Sequence, residues 1–174
     1  MLKSRVFLDT NVILESFRTR GWTAICNKYS IETVEKCIEE VLTGNPNSQN
    51  HTPVQQKILT GGLTALHKVS KRNIANLVLS HPECQGLDDG ELHLFAWAYA
   101  QNILPNQHIF ISTADKAAIR ATSMLGWINS LISLEELLQQ SGVTSSQIGN
   151  LRAHYRTSWL SNIKSDILLD EIMC

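Results

Sequence analysis

The sequence predicts an α/β fold, a mainly parallel central sheet with helices on both faces, and a helical extension after it. Three observations carry this. Short apolar, β-rich runs at 5–8, 109–111 and 127–132 alternate with helix-length segments, the pattern of strands joined by crossover helices. The first two runs lack polar interruption, as strands buried on both faces do. Each of these two also leads within a few residues to an acid, Asp9 and Asp115, and functional residues of open α/β sheets gather at such strand ends.

Taken in order, Arg5-Val6-Phe7-Leu8 is the first buried strand. From Thr10 to Tyr29 the pattern is helical but broken at Gly21, which predicts two short helices, the first capped by Thr10 or Asp9. Val34, Cys37, Ile38, Val41 and Leu42 then recur at three- and four-residue steps, an amphipathic helix that Gly44 ends. Residues 45–53, rich in Asn, Ser, Gln and Pro, predict a long polar loop, either mobile or flanking a site. Residues 54–68 read as helix, 73–79 as a weak strand or a further helix, and 81–87 as a turn-rich connection. Residues 91–100 are almost continuously apolar, which in a helix means burial on most sides.

The second strand, 109–111, passes through Ser112-Thr113-Ala114 to Asp115 and a helix that stops at Gly126. Residues 127–132 read as a third strand, and Ser133-Leu134-Glu135-Glu136 as the capping-box start of a helix to Gln140. Beyond it, Ile148, Leu151, Tyr155, Trp159 and Ile163 line up as one helical stripe. Such a stripe packs on the parent domain or forms an interface with a second copy or a partner.

A chain of 174 residues fits one domain, and 43% apolar with 18% charged residues is a globular composition. The formal net charge of -1 supplies no overall positive field, so contact with a phosphate polymer has to come from a local patch or a metal. The four cysteines form no Cys-x-x-Cys, and no His pair stands at zinc spacing, which suits reduced thiols in the cytoplasm. The first residues run straight into a strand and an acid, unlike a cleavable signal, and no apolar run reaches spanning length. The expected location is cytoplasmic, with no membrane anchor.

Four acids stand at element junctions: Asp9 after the first strand, Glu40 late in the amphipathic helix, Glu91 opening the apolar helix, and Asp115 after the second strand. In a parallel sheet the two strand ends share an edge, so Asp9 and Asp115 converge there if their strands are neighbours. Convergent carboxylates repel and are costly to desolvate without a cation, which points to an all-oxygen site for Mg2+ or Mn2+. Such ions activate water and stabilise a leaving oxygen, so the expected substrate is a phosphate ester. Each acid also has a plainer reading. Asp9 and Asp115 suit helix caps, and Asp88 with Glu91 has capping-box spacing. Glu40 fits a solvated face, and the helical wheel does not separate it from Glu39.

Val6-Phe7-Leu8-Asp9-Thr10-Asn11-Val12-Ile13-Leu14 resembles the opening strand and Asp-Thr-Asn motif of PIN-domain proteins, which include VapC-type toxin ribonucleases. Glu40-Val41-Leu42-Thr43-Gly44 is similar to the family's second acidic motif, and by that resemblance Glu40 is preferred over Glu39. Gly90-Glu91-Leu92-His93-Leu94-Phe95-Ala96-Trp97-Ala98 resembles the third, and Phe110-Ile111-Ser112-Thr113-Ala114-Asp115-Lys116 the fourth. A further acid that many members carry after the fourth is replaced here by Lys116 and Ala117.

The resemblance implies a PIN-like three-layer α/β/α domain over 1–142 and an extension over 143–174 packed on the domain or on a partner. It implies an Mg2+- or Mn2+-dependent endoribonuclease acting on single-stranded or structured RNA, with Asp9, Glu40, Glu91 and Asp115 as metal-binding catalytic residues. By the same resemblance Asn11 and Thr113 would orient the acids, water or phosphate; apart from it, Lys116 and Arg120, one helical turn apart and beginning beside Asp115, are better placed for substrate phosphates than Arg18, Arg20, His67, Lys68, Lys71 or Arg72. The resemblance further implies the toxin of a toxin–antitoxin pair, with an antitoxin or a second copy as partner. The competing expectation is a catalytically weak or inactive PIN-fold scaffold that works through its C-terminal helices.

Overall fold

The computed structural model describes residues 3–43 and 52–173, with side chains through 170. The expected helix stop at Gly44 and all but the last two residues of the 45–53 loop lie outside the described residues. In chain order, β1 (Arg5–Leu8) leads to α1 (Thr10–Arg18) and α2 (Trp22–Lys28), then β2 (Ser30–Val34) leads to α3 (Glu35–Thr43). After the undescribed segment come α4 (Gln56–Gly62), β3 (Ala65–His67) and α5 (Lys71–Ser80). A 3-10 turn at Pro82–Gly86 precedes α6 (Asp89–Gln101), which returns to β4 (Ile109–Ser112) and α7 (Lys116–Met124). The chain closes with α8 (Leu134–Gln140), α9 (Ser145–Gly149) and α10 (Thr157–Met173).

The four strands form one all-parallel sheet in the order β3-β2-β1-β4. Both α2 and α6 pack against β2, and the arrangement is consistent with a three-layer α/β/α fold. Val6, Phe7 and Leu8 are fully buried, as a central parallel strand covered on both sides demands. The chain builds outward from β1 through β2 to β3, then crosses back to place β4 on the other side of β1. That reversal opens a crevice at the carboxyl ends of β1 and β4, the usual ligand position of an open α/β sheet.

Local chemistry sets the element boundaries near that crevice. Asp9 Oδ1 accepts from the Val12 N–H at 2.7 Å and starts α1. Asp115 Oδ1 accepts from the Ala117 and Ala118 N–H groups at 2.7 and 3.0 Å and starts α7. The α1–α2 break falls where Arg20 takes a φ of +59°, and at the following Gly21 a Cβ would run into the Leu138 side chain. Gly126 takes a φ of +73°, the left-handed conformation that ends α7.

Several expectations are corrected. β2 was not foreseen: Ser30-Ile31-Glu32-Thr33-Val34 carries a buried acid and runs without a turn into α3, so its short apolar signal merges with the helix. Residues 54–68 do not form a single helix but α4 and the edge strand β3, parted at Leu63 and Thr64. Residues 73–79 lie within α5, capped by the Ser70 hydroxyl, so the strand option fails. Residues 127–132 hold a 3-10 turn at Ile128–Ser130, and only Leu131 makes an isolated parallel bridge to Ile111. The stripe from Ile148 to Ile163 is not one helix: it is divided among α9, a 3-10 turn at Ala153–Tyr155 and α10. Ile148, Leu151 and Tyr155 are nevertheless buried, and Trp159 and Ile163 pack on the core.

Two buried acids are tied to cations. Glu32 receives Arg5 Nε at 2.6 Å and Nη2 at 3.0 Å, with His67 Nε2 2.6 Å away, so one carboxylate joins β1, β2 and β3. The His67 ring stacks on Trp97 of α6 at 3.7 Å between centroids. Glu15 on α1 is bound by Arg18 and by the Arg152 N–H at 2.9 Å, and Arg18 also donates to the Asn150 carbonyl at 2.5 Å. The segment before α10 is thereby fastened to the helix that Asp9 begins. Replacing Glu15 by Gln removes the charge from this anchor and is expected to cost about 2 kcal/mol, the scale of a hydrogen bond to a charged group. Urea denaturation measures it; an unchanged midpoint would show that the anchor adds nothing.

Candidate active site at the carboxyl edge of the sheet

A cleft of about 460 Å³ opens at the strand ends and is lined by Asp9, Thr10, Asn11, Glu40, Leu87, Asp88, Asp89 and Glu91. It therefore collects side chains from the start of α1, the end of α3 and the start of α6. Asp9 and Glu91 are 1% and 4% exposed, a degree of burial that carboxylates rarely reach unless paired. Thr113, on the loop after β4, donates to Glu91 Oε1 at 3.3 Å and accepts from the Asp115 N–H at 3.2 Å. Its position binds the β4 end to α6. Asp115 is half-buried and close enough to Asp9 and Glu91 to repel both.

Glu40 enters the site through α1. Its Oε2 accepts from the Thr10 hydroxyl at 2.5 Å. Gly90 leaves space for this pair, since a Cβ there would lie 2.5 Å from Glu40 Oε2 and 2.9 Å from Thr10 Oγ1. Glu39, one residue earlier, is exposed and paired with Lys36 at 3.0 Å, and it does not line the cleft. Asp88 precedes α6 but makes no side-chain cap bond, so the Asp88/Glu91 spacing does not close into a capping box.

The electrostatics divide the buried acids into two kinds. Burial alone would raise Glu15 and Glu32, yet Arg18 and the Arg152 N–H hold Glu15, and Arg5 and His67 hold Glu32, below the usual carboxylate range. Asp9 and Glu91 have no cationic partner among the described residues. Burial pushes Asp9 up to about 6, with Asp115 adding repulsion, while the Thr113 hydroxyl and the Val12 N–H pull the other way. Burial first, and then repulsion from Asp9, Asp115 and Asp88, pushes Glu91 up to about 9 against the opposing Thr113 hydroxyl. Asp9 Oδ2 and Glu91 Oε2 are buried without a hydrogen-bond partner, as is Ser112 Oγ.

No protein-family model matches the chain, and no curated protein matches it. What the site can do is therefore read from its own chemistry.

The donor set suits a hard divalent cation, being all oxygen and rich in carboxylates. Two buried oxygens without partners, on acids whose ionisation is penalised, are the deficit that such a cation corrects. Among the described residues, however, no three His, Cys, Asp or Glu side chains stand close enough together to hold an ion as they are placed. The fit lies in donor type and unmet bonding, with some side-chain movement needed to close the shell.

Asn11 is exposed and lines the cleft, and its carbonyl accepts from the Tyr155 hydroxyl at 3.3 Å. Lys116 and Arg120 do not line the cleft. They bound a separate depression of about 370 Å³ with Glu83, Ala117, Ala121 and Met124, and Arg120 stands 3.9 Å from Asp170. Spacing alone leaves Asp88 and Asp89 as alternatives to Glu91, and the cleft is lined by all three, with Glu91 the buried one. Thr10 is the site feature that the pattern does not reveal, since in sequence it reads only as a cap and nothing in periodicity links positions 10, 40 and 90.

The unpaired acids make a signed prediction. A carboxyl with a raised folded-state pKa contributes stability that is complete below its unfolded value and lost as pH rises through the folded one. For Glu91 that window runs from 4.5 to about 9. Without divalent cations, Glu91→Gln should therefore gain stability over the parent chain as pH rises through this window. The gain should exceed about 1.4 kcal/mol, the worth of one pKa unit. Chemical denaturation at a series of pH values reads it, and a flat difference would place the parent Glu91 in an ordinary environment.

Proposed function

We propose that the chain is a Mg2+- or Mn2+-dependent endoribonuclease of PIN type that hydrolyses RNA phosphodiester bonds in the cytoplasm. The observation that carries the reading is the pair of cation-free buried carboxylates, Asp9 and Glu91, at the point where the strand order reverses. The motif resemblance, the parallel sheet and the convergence of Asp9, Glu91 and Asp115 support it together. No helix among the described residues is long and apolar enough to cross a membrane, which agrees with a substrate met in solution.

Asp9, Glu91 and Asp115, with Glu40 at the other wall, would hold the metal. When bound, Mg2+ or Mn2+ lowers the pKa of a coordinated water and stabilises the leaving oxygen of an in-line displacement. The protein's own part is positional. β1 and α1 fix Asp9 by using Oδ1 as a helix cap, which leaves Oδ2 uncommitted. Thr113 fixes Glu91 in the same way, engaging Oε1 and leaving Oε2 open. Thr10 orients Glu40 across the cleft. Each acid is thus held by one oxygen through a neutral donor, which leaves the other oxygen open to a cation and supplies no countercharge of its own.

Asp9→Asn keeps the cap-competent side chain and removes the charge. It is expected to abolish Mn2+-dependent cleavage of single-stranded RNA, by about 100-fold or more if metal binding is lost, while leaving the fold as stable as the parent or more so. Gel-resolved cleavage and thermal denaturation test the two halves. Full activity of the variant would overturn the proposed chemistry.

A further inference from the structure

Among the described residues, the cleft walls carry five acids, Asp9, Glu40, Asp88, Asp89 and Glu91, and no Lys or Arg. A phosphate polymer approaching them needs a cation outside the metal site. Among the described residues, one ion pair reaches a cleft-lining side chain: Lys36 Nζ stands 3.6 Å from Asp89 Oδ2 and 3.0 Å from Glu39 Oε1. Lys36 lies on the first turn of α3, one helical turn before Glu40, and Asp89 opens α6, which also carries Glu91. Its ammonium therefore sits at the mouth, between the two helices that supply Glu40 and Glu91, and also feels the Glu40 charge.

The geometry points to Lys36 as a substrate-binding residue, an ammonium at the cleft mouth that takes a phosphate flanking the scissile bond of single-stranded RNA. This rests on the nuclease reading above. Both present partners are weakly committed to it, since Glu39 and Asp89 are 61% and 70% exposed, and pairs of that kind hold a lysine loosely. A lysine is a compact point charge on a flexible stem, suited to following one phosphate oxygen at a time. Its place differs from that of Lys116 and Arg120, which face another depression. The same charge opposes a second cation entering the cleft, so Lys36 should act on metal and RNA with opposite signs.

Lys36→Gln and Lys36→Arg in the full chain test this by two readouts. The first is fluorescence anisotropy with a labelled oligouridylate in Ca2+ across a salt series. The second is calorimetric titration with Mn2+ alone. For Lys36→Gln, RNA affinity should fall roughly threefold to tenfold, and the slope of log affinity against log salt should drop by about 0.7, the worth of one single-strand phosphate contact. Lys36→Arg should keep the parent slope, and Mn2+ affinity should rise about twofold or more in the Gln variant as a nearby positive charge is removed. A purely structural strap would weaken both ligands or neither, which overturns the assignment, as does an unchanged salt slope. If the parent chain binds neither Mn2+ nor RNA, the nuclease reading fails and Lys36 falls with it. If the parent binds both and the slope is unchanged, Lys36 alone falls.

Discussion

Placing a carboxylate in a protein interior without a cation costs several kcal/mol unless the group takes up a proton or finds a charge to neutralise it. This protein does so twice, at Asp9 and Glu91, within one cleft and beside a third acid, Asp115. Elsewhere it follows the ordinary rule, closing Glu15 on Arg18 and Glu32 on Arg5 and His67. The contrast inside one small core separates acids that hold the fold together from acids that the fold holds in readiness. Nothing about helix capping or strand pairing requires the second kind to remain unpaired.

The fold supplies the means of keeping them so. β1 is central, with β2 and β4 on either side, so Asp9 follows a fully buried strand and is itself buried at the cleft floor. Its cap bond to Val12 and the Thr113 bond to Glu91 use neutral donors, which orient without discharging. Gly90 keeps the α6 surface flat enough for Glu40 and Thr10 to approach. Behind α1, Glu15, Arg18, Asn150 and Tyr155 fasten the segment leading into α10, so the final helices brace the helix that carries the site.

Much of this was legible in the sequence and some was not. β1, α1, α2, α6, β4 and α7 follow from apolar runs punctuated by Asp9, Gly21, Asp115 and Gly126, where local chemistry and tertiary need agree. β2 was hidden because Glu32 breaks its apolar run, and that acid belongs in a strand only because Arg5 and His67, distant in sequence, meet it there. β3 was read as helix since three residues on a sheet edge leave little periodic trace. The acids Asp9 and Asp115 stand out at strand ends, whereas the helical wheel leaves Glu39 and Glu40 equal and only the motif resemblance prefers Glu40; in the structure Thr10 and Gly90 receive Glu40 and solvent takes Glu39. Lys116 and Arg120 looked suited to substrate by proximity to Asp115, but a helix turns 100° per residue and carries them to another face. Lys36 reads in sequence only as part of a solvated helical face, because its partner on α6 is more than fifty positions away.

Metal binding at this site should displace protons, because a carboxyl held near 9 is still protonated at neutral pH and a ligand must be ionised. Calorimetric titration of Mn2+ into the chain at pH 7, in buffers of different ionisation enthalpy, counts those protons directly. Saturable binding with release of about one proton per ion is the predicted result. Absence of binding, or binding with no proton released, would contradict the claim that Asp9 and Glu91 wait unpaired for a cation.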